Sequence, residues 1–468
     1  MKKNEKYTID ITDITTNGEG IGKVDGYPLF VKDALPEERA EVVVTKVKKS
    51  YGYAKVLNIQ TPSPYRVEPA CKLKRCGGCS LSHLEYSRQL KYKEKKVFEN
   101  IKRIGGFNTE EITFEPIIGM EEPYRYRNKA QYPVGEKEGK MISGFYAVNS
   151  HDIIPCKDCL ICSYQNSPIV EDILAFAEEN HISPYDEKTK KGIIRHILIR
   201  ENKKGEILLC LIVNAANFPL KKKFVNSLRK YPHIVSLYIN YNTKGNNVIL
   251  GDKSEHIFGR KTLTDTIGSL KFEISPESFF QVNHIQTEKL YEKALEYASL
   301  KGTETVIDAY CGIGTISLFL AQKAKKVYGM EIVEEAVKDA EKNKKANNAD
   351  NVVFYVGKSE EILPDMYQKG IKAQVLVTDP PRKGCDENFL NIIKQMRPQK
   401  IVYVSCESST LARDLKILCK EGYYKVEKVC PVDLFPHTSH VETVVLLSQP
   451  NSDEHIATEL DLTNPYQP

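Results

Sequence analysis

No run of about 18 consecutive apolar residues occurs in this chain of 468 residues, so no membrane-spanning helix is expected. The opening MKKNEKYTIDITD lacks the apolar heart of a secretory signal. Strong net charge is missing as well: 67 Lys and Arg stand against 62 Asp and Glu, a balance of +5. Twelve cysteines in a chain without a signal are not expected to pair as disulfides; in a reducing compartment they serve more often as ligands, nucleophiles or small buried side chains. These absences point to a cytoplasmic protein with no membrane partner. What is present is an ordinary apolar fraction, 41%, and length for two to four domains.

The charge is unevenly placed. Residues 61–130 hold 14 Lys and Arg against 9 Asp and Glu, a surplus equal to that of the whole chain. A localised basic surplus suits an acidic partner such as RNA. Before it, residues 1–60 read as short strands punctuated by glycine, which predicts a five-stranded barrel. This stretch resembles the TRAM domain, an OB-like RNA-binding module. Lys46, Lys48 and Lys49 with Tyr51 and Tyr53 would offer charge and stacking faces to a single strand.

CKLKRCGGC sets Cys71, Cys76 and Cys79 in a C-x4-C-x2-C array, and HDIIPCKDCLIC adds Cys156, Cys159 and Cys162 far downstream. Three close cysteines and one remote one can close a four-thiolate site, for zinc or for iron–sulfur. Paired C-x2-C units would favour a zinc ribbon; the spacing here suits a cubane cluster better. Residues 83–104 have helical periodicity with a basic far face, and from about 115 to 262 the chain becomes β-rich, predicting a mixed α+β central domain over 61–264. Arg125, Arg127, Lys129 and Gln131 are predicted to alternate along one strand and to line an RNA path.

SPESFFQVNHIQTEKLYEKALEYA (275–298) predicts an amphipathic helix opened by a capping serine. Beyond it, apolar runs at 305–309, 326–330, 352–356, 374–378, 400–404, 424–429 and 443–447 alternate with helical stretches. That pattern predicts a doubly wound α/β domain over 265–450, followed by a polar tail at 451–468. After the first strand comes Asp308-Ala-Tyr-Cys-Gly312-Ile-Gly314-Thr-Ile-Ser317. The third glycine of a dinucleotide fingerprint is absent, which disfavours NAD, while Glu331 ends the next strand where it suits ribose hydroxyls. With Asp379-Pro380-Pro381 at the fourth strand, the domain resembles a class I (Rossmann-like) S-adenosylmethionine methyltransferase.

No aromatic follows the two prolines; Arg382 stands where enzymes that methylate exocyclic amines place a stacking ring. Methylating uracil C5 needs other chemistry, because that carbon is too weak a nucleophile to attack a sulfonium. A thiolate adding to C6 makes C5 an enolate carbon that can attack, and a base must then remove the C5 proton. Cys406, in IVYVSCESSTLARD, is the candidate nucleophile and Glu442, in HTSHVETVVLL, the candidate base.

YVSCESSTLARD and HTSHVET resemble the two signature motifs of the RNA uracil-5 methyltransferase family, in its iron–sulfur branch acting on 23S ribosomal RNA. The resemblance covers nearly the whole chain. It implies that Gln281, Tyr310, Glu331 and Asp379 line the donor and base pocket beside Gly312 and Gly314. It further implies that Cys71, Cys76, Cys79 and Cys156 hold a [4Fe-4S] cluster, and that Phe279 stacks on a nucleotide near Arg127 and Gln131. The expected product is 5-methyluridine in a single-stranded or refolded loop of ribosomal RNA, made by a monomer. Many relatives carry Asn-Pro after the cysteine; Glu407-Ser408 here puts the shape of that turn in question. No cysteine lies within Asp379–Lys383, which favours uracil over cytosine. A transfer-RNA uracil-5 methyltransferase, whose usual relatives lack the cysteine array and the barrel, and a non-catalytic iron–sulfur RNA-binding protein are the alternatives.

Overall fold

In RAEVVVTKV (39–47) Ala40, Val42 and Val44 are buried while the residues between them reach towards solvent, the period of two that a half-buried strand imposes. The computed structural model describes residues 1–450; the predicted polar tail lies outside them. β1 (Lys6–Ile14), β2 (Gly20–Val24), β3 (Tyr27–Lys32), β4 (Arg39–Val47) and β5 (Gly52–Thr61) close into a barrel in the order β1-β2-β3-β5-β4. Ile9, Ile11, Leu29, Val31 and the inward residues of β4 fill it.

α1 (Tyr86–Asn100) and the two-residue β6 (Thr113–Phe114) precede the central strands. β7 (Lys129–Lys137), β8 (Lys140–Tyr146), β9 (Ile153–Pro155), β10 (Ile194–Glu201), β11 (Ile207–Val213), β12 (Ile234–Tyr241) and β13 (Lys253–Gly259) form a mixed sheet ordered β13-β12-β11-β10-β7-β8-β9. α2 (Asn166–Glu179) and α3 (Lys221–Leu228) contribute Ile169, Ile173, Phe176 and Phe224 to its core. A hairpin of β14 (Leu263–Ile267) and β15 (Leu270–Ile274) follows. Two expectations change here. The strand begins at Lys129, so neither Arg125 nor Arg127 is on it: Arg125 takes φ +53° and grips Asp158 at 2.6 Å, and Arg127 makes isolated bridges to Cys162 and Asn283. α4 (His284–Ala298) starts nine residues after Ser275, because the Asn283 side chain accepts the Gln286 N–H at 3.2 Å and caps it instead.

From there strand and helix alternate: β16 (Thr305–Ala309), α5 (Thr315–Ala321), β17 (Lys326–Glu331), α6 (Glu334–Ala346), β18 (Val352–Val356), α7 (Ser359–Gln368), β19 (Val375–Thr378), α8 (Glu387–Met396), β20 (Lys400–Ser405), α9 (Ser408–Cys419), β21 (Lys425–Val432) and β22 (Glu442–Ser448). The sheet runs β18-β17-β16-β19-β20-β22-β21-β6, parallel through β20, with β22 antiparallel to both its neighbours. β16 and β19 are almost wholly buried and apolar, as strands covered on both faces must be. The order reverses between β16 and β19, which opens a crevice at their carboxyl ends. β6, too short to read from sequence, pairs with the edge of β21.

The chain divides into two compact units that it enters more than once. Among the described residues, one holds Met1–Lys93, Gly119–Glu288 and Asp433–His440; the other holds Glu94–Ile118, Lys289–Val432 and 441–450.

Candidate active site

The turn after β16 begins with Tyr310 at φ +64° and carries Gly312 at φ +55° and Gly314 at φ +82°. A Cβ on Gly314 would lie 2.7 Å from the Phe354 ring, so both conformation and space require glycine. Glu331, at the end of β17, ties this turn down: its carboxylate accepts the Gly312 N–H at 3.1 Å and the Val333 N–H at 2.8 Å. Its remaining lone pairs are free to accept ribose hydroxyls. Ser317 has a use that its place in the glycine fingerprint did not suggest. Its hydroxyl donates to buried Asp308, whose other oxygen has no partner and whose carboxyl burial raises to about 7.

β20 and β22 pair antiparallel as far as Ser405 opposite Thr443; Cys406 and Glu442 are the residues next beyond that pair, and the charge of Glu442 is felt at Cys406. The Glu442 side chain is buried, and its Oε2 lacks a hydrogen-bond partner. Burial first, and the charge of Asp379 second, hold its carboxyl well above the usual range, while Arg382 opposes them. Cys406 is pushed up to about 12 by burial, then by Glu442 and Asp379, again opposed by Arg382. Asp379 itself rises to about 7 through burial. One thiol, two carboxyls and one cation are therefore coupled electrostatically around the carboxyl ends of β19 and β20.

The turn after Cys406 is held by side-chain hydrogen bonds. Glu407 caps α9, accepting from the Ser409 N–H at 3.3 Å and its hydroxyl at 2.8 Å, and Asn100 donates to Ser408 at 2.8 Å. The rest of the motif has roles that sequence reading missed. Asp414 accepts from the Cys385 N–H at 2.8 Å and the Tyr403 hydroxyl at 2.6 Å. Thr410 donates to the Arg382 carbonyl at 3.1 Å and Arg413 to that of Lys383 at 2.9 Å. These bonds buckle the Asp-Pro-Pro-Arg loop onto α9. Gly384, at φ +78°, leaves room for them: a Cβ there would meet Arg413 and Asp414 at 2.5 and 2.6 Å.

In the other unit, Gln281 is buried and its carbonyl accepts from Asn128 at 3.0 Å, whereas Phe279 is 67% exposed between buried Ser278 and Phe280. Gln131 is half-buried on β7. Buried His437 adopts φ +66°; its N–H donates to Gln89 at 2.9 Å and its ring stacks on Tyr124 at 4.5 Å, so it shapes the loop. The thiols of Cys71, Cys76, Cys79, Cys156 and Cys159 act on one another electrostatically. Cys159, which sequence spacing set aside, is the cysteine that most affects Cys76 and Cys79, and it shares hydrogen bonds with Cys156 and Cys162. Among the described residues, no three His, Cys, Asp or Glu side chains already stand at metal-binding spacing. The donor set nevertheless fits a thiolate-bound cluster: its thiols converge from two distant segments, and burial penalises the charge on Cys79 unless a cation offsets it.

No helix among the described residues is long and apolar enough to cross a membrane. The family described as tRNA (Uracil-5-)-methyltransferase matches residues 85–450, and the TRAM domain matches 2–57. An uncharacterized RNA methyltransferase of Halalkalibacterium halodurans is 49% identical over 454 residues, covering 96% of this chain and 98% of its own. One of Clostridium tetani is 49% identical over 451 residues, covering 96% and 97%. The crystal structure of Pyrococcus abyssi tRNA (uracil-54, C5)-methyltransferase in complex with S-adenosyl-L-homocysteine superposes with a TM-score of 0.76 at 27% identity, covering 94% of this chain and 99% of that one. With its TRAM barrel and methyltransferase sheet, this chain belongs to the tRNA (uracil-5-)-methyltransferase family of S-adenosylmethionine-dependent RNA methyltransferases.

Proposed function

We propose that the chain methylates uracil C5 in a single-stranded or refolded loop of 23S ribosomal RNA, acting as a cytoplasmic monomer. The observation that supports the chemistry is that Glu442, Asp379 and Arg382 all act electrostatically on Cys406, which follows the last paired residue of β20. Cys406, its proton given up to solvent water, adds to C6 as the thiolate, and the C5=C6 electron pair moves to C5 and O4 as an enolate. S-adenosylmethionine, when bound, supplies the electrophilic methyl group. Glu442 then takes the C5 proton so that the thiolate can depart; its raised proton affinity suits that step. Arg382 favours the thiolate and the developing enolate. Glu331, Tyr310, Gly312, Gly314, Gln281 and Asp379 hold donor and base, and Phe279 stacks on a nucleotide, with Gln131 on β7 and Arg127 just before it along the RNA path.

Cys71, Cys76 and Cys79 would hold the [4Fe-4S] cluster with one of the Cys156/Cys159 pair as the fourth ligand. The cluster would fix the fold of its segment. The test of function is a denaturation-resistant adduct with 5-fluorouridine RNA, since fluorine cannot be removed as a proton, together with mapping of 5-methyluridine in ribosomal RNA with and without the protein. Wild-type protein that forms no adduct would overturn the reading. Transfer RNA is the second substrate reading. It is favoured because the solved archaeal tRNA enzyme aligns with 94% of this chain, which weakens the sequence-based argument against that substrate. Parallel assays on transfer and ribosomal RNA decide between them.

A further inference from the structure

β7 and β10 pair antiparallel with Lys129 directly opposite Arg200. Two cations in that position share a face and repel, and a sheet gains nothing from placing them so. Arg200 is 3% exposed; it donates to the Ser278 carbonyl, but its Nε has no hydrogen-bond partner. Arg127, two residues before Lys129, donates its Nε–H to the Lys129 carbonyl at 3.0 Å and adds a third positive charge. Burial, Arg200 and Arg127 together push the Lys129 ammonium down to about 7.

No carboxylate forms an ion pair with any of the three among the described residues. Exposed Glu277 attracts Arg200 from a distance, but its own carboxylate accepts the Ser254 hydroxyl. Strand alternation turns Glu201 to the opposite face. The corner is rigid: Asn128 donates its N–H to the Val282 carbonyl at 2.8 Å and its amide to the Gln281 carbonyl at 3.0 Å, and Glu201 donates to Asn128 at 2.8 Å. Hydrogen bonds thus lock both strand ends to the loop that presents Phe279.

We propose that Arg127, Lys129 and Arg200 form a binding corner for a backbone phosphate of single-stranded RNA, next to the nucleotide stacked on Phe279. It rests on the reading of this chain as an RNA uracil-5 methyltransferase. A monoanionic phosphodiester, through its two non-bridging oxygens, accepts from the orphan Nε–H of Arg200 and from Lys129 and offsets the repulsion between the cations. Phosphate contacts of this kind set position along the strand and not sequence.

The test uses the full-length, iron-containing protein and a fluorescent oligouridylate of about ten nucleotides, with affinity measured across a salt series. Lys129→Gln should weaken binding about three- to tenfold and flatten the log–log salt slope by about 0.7, the value for one contact to a single strand. It should also raise the melting temperature of RNA-free protein, because the repulsion is gone. Arg200→Lys should weaken binding with the slope retained, and Lys137→Gln, at the exposed far end of the strand, should match wild type. Lys129→Gln with wild-type affinity and slope overturns the proposal. So does a Lys129→Gln protein that loses iron while binding oligouridylate normally, since the cations would then serve the cysteine segment. If wild type forms no adduct with 5-fluorouridine RNA, the functional reading falls, and the slope comparison still decides the phosphate corner.

Discussion

Replacing Glu442 by Gln should uncouple two halves of the reaction. In the empty site Cys406 stands at about 12, against an ordinary 9.0, so at pH 8 its thiolate fraction is about 10⁻⁴ instead of about 10⁻¹. Burial is the larger cause and the Glu442 carboxylate the second. Neutralising Glu442, the second cause, should restore part of that thiolate. Iodoacetamide alkylation of Cys406 in RNA-free protein, followed by mass spectrometry at pH 8, should therefore speed up several-fold in Glu442→Gln. Methylation should meanwhile fall by about 10²–10⁴, the usual worth of a general base. A covalent protein–RNA complex should accumulate with ordinary uridine RNA, because the C5 proton is no longer removed. Alkylation slower than in wild type would refute the electrostatic coupling. Unchanged turnover would refute the base assignment.

The remaining predictions address the support of the site. Asp308 is raised from 3.8 to about 7 in the folded chain, so the native state holds a proton that the unfolded chain has released; this stability is present below pH 4 and is lost as pH rises through 7, a span of about 4 kcal/mol. Asp308→Asn should flatten that fall in urea titrations run at a series of pH values; an unaltered pH dependence would refute the assignment. Asp414→Ala strands the Cys385 N–H and the Tyr403 hydroxyl in the core, and should cost about 2–4 kcal/mol by chemical denaturation. Cys71→Ser, Cys76→Ser and Cys79→Ser should lose iron and visible absorbance, and the greater loss between Cys156→Ser and Cys159→Ser identifies the fourth ligand.

The α/β domain was legible because seven apolar runs of strand length, buried on both faces, leave little else for the chain to be. Register was not. That Glu442 acts on Cys406 depends on β22 being inserted antiparallel between β20 and β21, and no local pattern announces such an insertion. The roles of Thr410, Arg413 and Asp414 were hidden for the same reason: they act on a loop about 30 residues away. Arg125 misled because alternation looked like a strand, whereas a positive φ and Asp158 bend the backbone out of it. The Lys129–Arg200 opposition needed pairing between strands some 70 residues apart.

Residues 433–440 leave one unit for the other between two strands of the same sheet. In their host unit, Asp433 is fully buried, held by Lys93 at 2.5 Å and by the Tyr86 hydroxyl at 2.8 Å. Two residues past the return stands Glu442. Dissection by scissors therefore fails in both directions. A fragment spanning 265–450 would carry an aspartate whose cation was left behind on α1, a loss of about 3–5 kcal/mol, and a β21 edge stripped of its β6 cover. Each unit is built from several separate stretches of the chain, so a cut at any one boundary leaves both without part of their own core.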